Sequence, residues 1–389
     1  MRLEIKRPDH IVPSYSLTGD LLSYERCRLL YRYQNGSSLP PSRPVQLWFG
    51  EFLHGTLELA FRFWEEHRQD YPFPWPCKQR EWRAPEPDWG ANDIGRLADL
   101  VESALRQQGK QARSADARNS GYRRVALAIN QLGPHLFPLI ASAEKKVIGT
   151  RPVPISKLTL RCSNYEVHGV IDVLTNITLK ESGPSNLIRD CVEDVCANLS
   201  GSYEVIVDYK GSQRPLNTEV YWRQGDWQIQ TYAWLRSRQA DSLPVAAGIL
   251  IYVNELTPGN KEMQNLQSGI KNGTTDVLPA PGSSDEQLIR MWRQGADTEQ
   301  LSLEFRLRRA IRVVPVTTVS TQTALAEFDD VVRRAEENII TEALIGDILK
   351  AWSPQCRDED TCSACDFRHF CPQPAGKGIG YLPETPSAP

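Results

Sequence analysis

Near its C-terminal end the chain reads Cys362-Ser-Ala-Cys365-Asp-Phe-Arg-His-Phe-Cys371-Pro372, a C-x2-C-x5-C-P spacing. Thiols this close together can converge on one metal centre only if the chain folds tightly around it. A fourth ligand must then come from another part of the sequence, so two separate segments are required to meet. Soft thiolates select zinc or an iron–sulfur centre. The paired C-x2-C halves of a zinc ribbon are missing, which favours iron–sulfur. Cys27 and Cys356 are the candidate fourth thiols, and His369 is a nitrogen alternative if the centre is a zinc knuckle. Cys191 and Cys196 read as bland residues of an insertion, and Cys77 and Cys162 as structural.

The formal net charge of −3 speaks against a passive nucleic-acid coat, which is usually basic overall. It is compatible with an enzyme whose metal-binding carboxylates offset basic residues elsewhere. Met1 to Val12 is charged and broken by Pro8, unlike a secretory signal, and no apolar run approaches a membrane span. The expected location is cytoplasmic with no membrane partner. There, nine cysteines read as metal ligands or buried apolar residues, not disulfides.

Hydrophobic periodicity predicts a short helix over Leu17–Gln34, with Thr18 as a possible cap, and a second over Trp48–Trp64. Ser37–Pro44 breaks the chain, and Tyr71–Trp89, rich in Pro and Trp, reads as an irregular loop. Asp93–Ala143 reads as mostly helical, interrupted at Gly133-Pro134. Lys157–Cys162 and Glu166–Thr175 suggest a hairpin turning at Ser163-Asn164. Glu204–Asp208 and Val245–Val253 read as buried strands, with a helix over Trp227–Arg238 between them. Thr257–Asp285 reads as a polar surface insertion with the composition of a disordered segment. Leu303–Val319 reads as clustered arginines followed by a strand, Thr323–Trp352 as a long helix or helix pair, and the tail after Pro372 as unstructured. Helices followed by mixed strands and helices indicate an α/β core carrying a helical insertion.

The strand Tyr203-Glu-Val-Ile-Val-Asp208-Tyr-Lys210 ends in D-x-K, and strand alternation puts Asp208 and Lys210 on one side. Upstream, Gly169-Val-Ile-Asp172 places a second aspartate within an apolar strand. Two carboxylates on neighbouring strands can hold Mg²⁺ or Mn²⁺. A lysine beside them can orient water and stabilise charge growing on a phosphate, while the cation makes hydroxide available near neutral pH. His54 and Glu58 share one helical face, and a neutral imidazole is a further metal ligand. Gln228 and Tyr232 are likewise four apart on the helix after Lys210.

In order, Cys27, G-x3-H at His54, G-x-I-D at Asp172, D-x-K at Asp208 and Lys210, Q-x3-Y at Gln228 and Tyr232, and C-x2-C-x5-C run from Thr18 to Pro372. This arrangement resembles the RecB-like branch of the PD-(D/E)XK nuclease superfamily. The likeness is nearest to its iron–sulfur members, such as the AddB nuclease domain and the CRISPR-associated adaptation nuclease. The usual proline after the first cysteine is replaced by Arg28. The resemblance implies a restriction-endonuclease-like, four-stranded mixed sheet flanked by helices, and a [4Fe–4S] clasp on Cys27, Cys362, Cys365 and Cys371. It implies Mg²⁺ or Mn²⁺ held by His54, Asp172, Asp208 and the Tyr209 carbonyl. Asp172, Asp208, Lys210, Gln228 and Tyr232 would then be the catalytic set. The organisation it implies is a single domain over 1–375 and a flexible tail over 376–389. Within the domain, 17–34 and 356–372 form the clasp, 90–145 a helical insertion, 157–255 the catalytic core and 257–300 a surface insertion.

The implied activity is a metal-dependent deoxyribonuclease, exonucleolytic more than endonucleolytic, acting on single-stranded DNA or DNA ends. DNA repair or recombination, CRISPR adaptation and antiphage defence would all use this chemistry. No G-x4-G-K-[ST] phosphate loop occurs, so a helicase or other defence protein would be a separate partner. Trp222, Arg223, Trp227, Arg306, Arg308, Arg309 and Arg312 are candidate DNA contacts. The alternatives are a non-catalytic DNA-binding iron–sulfur module and a zinc-stabilised protein of unrelated activity.

Overall fold

The computed structural model describes residues 12–35, 47–68, 70–79, 87–180, 184–295, 301–354, 356, 362, 365–368, 371 and 372. β1 (Ser14–Ser16) leads through a π-helical turn into α1 (Leu22–Arg26) and α2 (Arg28–Gln34). Three longer helices follow: α3 (Leu47–Glu66), α4 (Ile94–Gln107) and α5 (Ala115–Leu136). Strands β2 (Ile140–Pro152) and β3 (Asn164–Leu179) precede α6 (Leu187–Val195), β4 (Gly201–Lys210), α7 (Val220–Ser237) and β5 (Val245–Tyr252). The chain continues through α8 (Asn260–Asn272), α9 (Ser284–Met291), α10 (Leu303–Ala310), β6 (Ile311–Pro315), α11 (Thr318–Ile345) and α12 (Ile348–Ala351).

The strands form one mixed six-stranded sheet in the order β1-β3-β4-β5-β6, with β2 also paired to β3. β3 runs antiparallel to β4, β4 parallel to β5, and β5 antiparallel to β6. This is the helix-flanked α/β architecture expected for a restriction-endonuclease-like fold, with six strands where the family resemblance implied four. The described residues divide into two compact units. One comprises segments 1–42, 146–169 and 319–389, the other 43–145 and 170–318.

In the larger unit, Val205, Ile206 and Val207 of β4 and Ile249, Leu250 and Ile251 of β5 are fully buried. A strand covered on both faces has no use for alternation, so these segments read as continuous apolar runs. α7 lies against β5, and glycine sets the distance: a Cβ on Gly248 would stand 2.3 Å from Ile229 Cγ2. A buried ion pair, Arg236 to Glu204 at 2.8 and 2.9 Å, joins the end of α7 to the start of β4. α3 presents Trp48, Phe52, Leu53, Leu57, Ala60 and Phe61 to the same core.

In the smaller unit, the buried Arg32 of α2 donates two hydrogen bonds of 2.6 Å to Glu342 of α11. Trp352 Nε1 donates a third to the same carboxylate at 2.6 Å. Tyr24 and Tyr31 pack on the Trp352 ring, with centroids 6.3 and 6.0 Å away. A charge this deep is tolerable only because it is paired and hydrogen-bonded. These contacts fix the helix pair that carries Cys27.

Several sequence expectations need correction. The helix over Leu17–Gln34 is broken at Cys27, whose backbone is extended (φ −161°, ψ 113°). The cap is Ser16, which accepts from the Gly19 amide, not Thr18. Pro134 sits inside α5, which runs on to Leu136, and the break in the helical stretch falls earlier, between α4 and α5. The helical reading also overran β2, where only Val147 is buried. A strand this exposed shows no apolar period. The first arm of the expected hairpin is therefore β2, and residues 157–162 form no strand. Within the expected surface insertion, α8 and α9 are ordered. Met263, Leu266, Ile289 and Trp292 form a small core there with Leu301 and Phe305. The expectations for Ser37–Pro44 and for the tail after Pro372 lie outside the described residues.

Gly248→Ala should force Ile229 off its seat and destabilise the protein by about 1–3 kcal/mol. Chemical denaturation measures this, and an unchanged midpoint would show that α7 can shift freely on β5.

Candidate metal centre and cysteine cluster

Asp172 and Asp208 stand one residue beyond the last paired residues of β3 and β4, Val173 and Val207. Antiparallel pairing therefore delivers two carboxylates to the same place, where the β3–β4 ladder ends. α3 supplies the third group. His54 Nδ1 is 3.3 Å from Asp172 Oδ2, and the other ring nitrogen is 2.8 Å from the Tyr209 carbonyl. The Tyr209 amide donates to Asp172 Oδ2 at 3.2 Å. Ligand atoms of His54, Asp172 and Asp208 all lie within 4.8 Å of one another. The sequence expectation had these three groups meeting, with the Tyr209 carbonyl beside them, and they do.

Lys210 Nζ lies 2.6 Å from Asp208 Oδ2 and donates at 2.6 Å to Gln228 Oε1. Tyr232, one turn further along α7, is hydrogen-bonded to Gln228. Gln228 and Tyr232 thus reach the centre through Lys210.

The electrostatics follow from crowding. Burial raises the Asp208 carboxyl and the Asp172 charge adds to this, against the opposing pull of Lys210, leaving it at about 6. Burial also works to raise Asp172, but the hydrogen bond and charge of His54 outweigh it and hold its carboxyl below the usual range. Burial disfavours the His54 imidazolium, yet the hydrogen bond and charge of Asp172, with Asp208 behind them, lift it to about 9. A charged imidazole and an ammonium neutralise the two carboxylates. A divalent cation would do so more directly, and the donors suit a hard one: carboxylate and carbonyl oxygens with one imidazole nitrogen. The buried Asp208 Oδ2 has the Lys210 ammonium as its partner, 2.6 Å away.

The sequence missed Glu144. It lines the same pocket as His54, Glu58, Asp172 and Tyr209, and its φ of 51° is left-handed. Such a backbone costs about 1–3 kcal/mol in a residue that is not glycine. It falls one residue past the stretch read as helical, in a strand with no apolar period to mark it. Glu58, also on the rim, is held by Arg62 of the same helix.

The candidate DNA contacts are largely engaged within the protein. Arg309 is buried against Glu255 at 2.9 Å, and Arg312 pairs with Asp226 at 2.5 Å beneath the Trp222 ring. Arg306 donates to the Leu256 carbonyl, and Arg223 covers Trp227. Arg308 is exposed.

In the smaller unit, Cys27, Cys356, Cys362, Cys365 and Cys371 line one cavity with Leu29, Leu30, Tyr33, Pro354 and Phe367. The Tyr33 and Phe367 rings are 4.8 Å apart, fastening α2 to the cysteine segment. Burial, with Cys27, Cys362 and Cys371 adding to it, pushes the Cys365 thiol up to about 11. None of the nine cysteines is in a disulfide. Cys77, Cys162, Cys191 and Cys196 stand apart from the cavity, and His369 lies outside the described residues.

Residues 19–372 match the sequence profile of the PD-(D/E)XK nuclease superfamily. No curated protein matches the chain. Among the described residues no helix is long and apolar enough to cross a membrane.

Lys210→Met leaves Asp208 buried without its counter-charge. In chelator-treated protein the loss should be about 3–5 kcal/mol near neutral pH. A carboxyl with a raised native pKa is protonated more readily in the folded chain than in the unfolded one, so stability falls as pH rises through that window. The deficit should therefore shrink as pH is lowered toward about 4. Urea titration at several pH values checks this, and a pH-independent deficit would contradict it.

Proposed function

We propose that this chain, which belongs to the PD-(D/E)XK nuclease superfamily, is a divalent-metal-dependent deoxyribonuclease. Membership of the superfamily supports a nuclease enzyme. The finer reading is exonucleolytic action on single-stranded DNA or DNA ends. The processes it fits are DNA repair or recombination, CRISPR adaptation and antiphage defence, beside a separate helicase or defence protein.

The observation that carries the catalytic reading is the convergence of His54, Asp172 and Asp208, with the Tyr209 carbonyl, next to Lys210. These four groups would hold Mg²⁺ or Mn²⁺. The bound cation supplies Lewis-acid polarisation of the phosphodiester and lowers the pKa of water. Lys210, steadied by Asp208 and Gln228, presents an ammonium to orient that water and to stabilise charge on the phosphate. Tyr232 holds Gln228 and so acts as a positioning residue.

For the second centre, the donor set is sulfur alone, and the cavity gathers thiols from two distant segments. That supports a [4Fe–4S] cluster on Cys27, Cys362, Cys365 and Cys371 with a structural role as a clasp. A cluster bound there would add covalent cross-links between the N-terminal helix pair and the C-terminal segment.

Purified protein should cleave end-labelled single-stranded DNA only with Mg²⁺ or Mn²⁺. Asp208→Ala should abolish cleavage, and Lys210→Ala should slow it by about 10²–10⁴-fold, both with unchanged circular dichroism. Undiminished cleavage by either variant would overturn the mechanism. Anaerobic preparation should give brown protein with iron and acid-labile sulfide; colourless protein with stoichiometric zinc would overturn the cluster.

A further inference from the structure

The cysteine cavity holds one thiol more than the cluster reading needs. Five cysteines line it, Cys27, Cys356, Cys362, Cys365 and Cys371, and a [4Fe–4S] cube takes four thiolates. Four of the five belong to one C-terminal stretch spaced C-x5-C-x2-C-x5-C. That stretch alone contains enough thiols for a complete ligand set. Cys27 is the single contribution from the N-terminal segment.

Cys27 and Cys356 differ in how they are held. Cys27 is only 8% exposed and sits at the break between α1 and α2. Its amide donates to the Ser23 carbonyl at 3.1 Å, and its carbonyl accepts from the Tyr31 amide at 2.9 Å. Cys27 is therefore placed before any metal arrives. Cys356 is half-buried, outside regular structure, beside Pro354 on the cavity wall.

On the cluster reading above, we infer that Cys356 is a reserve thiolate, able to replace Cys27 as the fourth ligand. The exchange needs no oxidant or reductant. The Cys356 thiol gives its proton to solvent and forms an iron–sulfur bond. The Cys27 thiolate leaves iron and takes a proton from solvent. The consequence is specific to this chain: the N-terminal helix pair can be released from the clasp while the cluster stays on the C-terminal segment.

The test combines iron analysis with cysteine alkylation of native, anaerobic protein, read by mass spectrometry. Wild type should hold ~4 iron atoms per chain and be alkylated by iodoacetamide at Cys356, with Cys27, Cys362, Cys365 and Cys371 protected. Cys27→Ser should keep most of its iron and now protect Cys356. Cys27→Ser combined with Cys356→Ser should fall to background iron. Cys356→Ser alone should keep its iron but release it to a chelator several-fold faster than wild type, a result that stands even if the Cys27 variants fail to fold.

A folded Cys27→Ser protein without iron, an iron-loaded one still alkylated at Cys356, or equal release rates for wild type and Cys356→Ser would overturn the inference. So would loss of iron from Cys356→Ser, which would make Cys356 a primary ligand. Iron-free wild type containing zinc would instead overturn the cluster reading itself, and is told apart because it shows before any substitution.

Discussion

Two carboxylates are forced together where two buried strands of an apolar sheet part, and the rest of the candidate site answers that repulsion. Asp172 and Asp208 arrive side by side because β3 and β4 pair antiparallel through seven residue pairs that end next to them. Burial makes each charge harder to carry, and proximity makes the pair harder still. His54 and Lys210 neutralise them. Metal ligation would let the same carboxylates carry charge with a smaller penalty, since a divalent cation at short range outweighs the desolvation that burial imposes.

The surrounding fold keeps those four groups from relaxing apart. Two buried strands leave no room for the aspartates to slide without moving an entire hydrophobic register. α7, pressed onto β5 where glycine allows it, carries Gln228 to the ammonium of Lys210. α3 is anchored in the core by its aromatic residues, and its polar side delivers His54. In the other unit, a single buried carboxylate, Glu342, collects a guanidinium and an indole and so holds α2 in place. Each unit uses the same device: a buried polar group whose partners come from distant parts of the chain and must all be present.

Much of this was legible in the residues. The runs around Val205–Val207 and Ile249–Ile251 marked their strands because full burial demands continuous apolar sequence. The order of His54, Asp172, Asp208, Lys210, Gln228 and Tyr232 singled out residues that the fold does bring into one network. Less was visible where side chains face solvent. β2 has a single buried residue, so its first residues passed for the end of a helix and Glu144, just beyond them, went unmarked. α8 and α9 lie in a polar stretch whose few apolar residues, Met263, Leu266, Ile289 and Trp292, meet only in three dimensions. Arginines near the site looked like a DNA groove, but charge in a sequence does not reveal whether its partner is a phosphate or, as for Arg309 and Arg312, an internal carboxylate. The cysteine spacing suggested a metal centre, and the fold brings five cysteines to the wall of one cavity.

A crystal soaked in Mn²⁺ and measured at the manganese absorption edge addresses the central claim most directly. The account predicts an anomalous peak within coordination distance, about 2.1 Å, of His54, Asp172, Asp208 and the Tyr209 carbonyl oxygen. A map with no peak there, or with Mn²⁺ bound elsewhere while His54 and Lys210 still neutralise the aspartates, would contradict it.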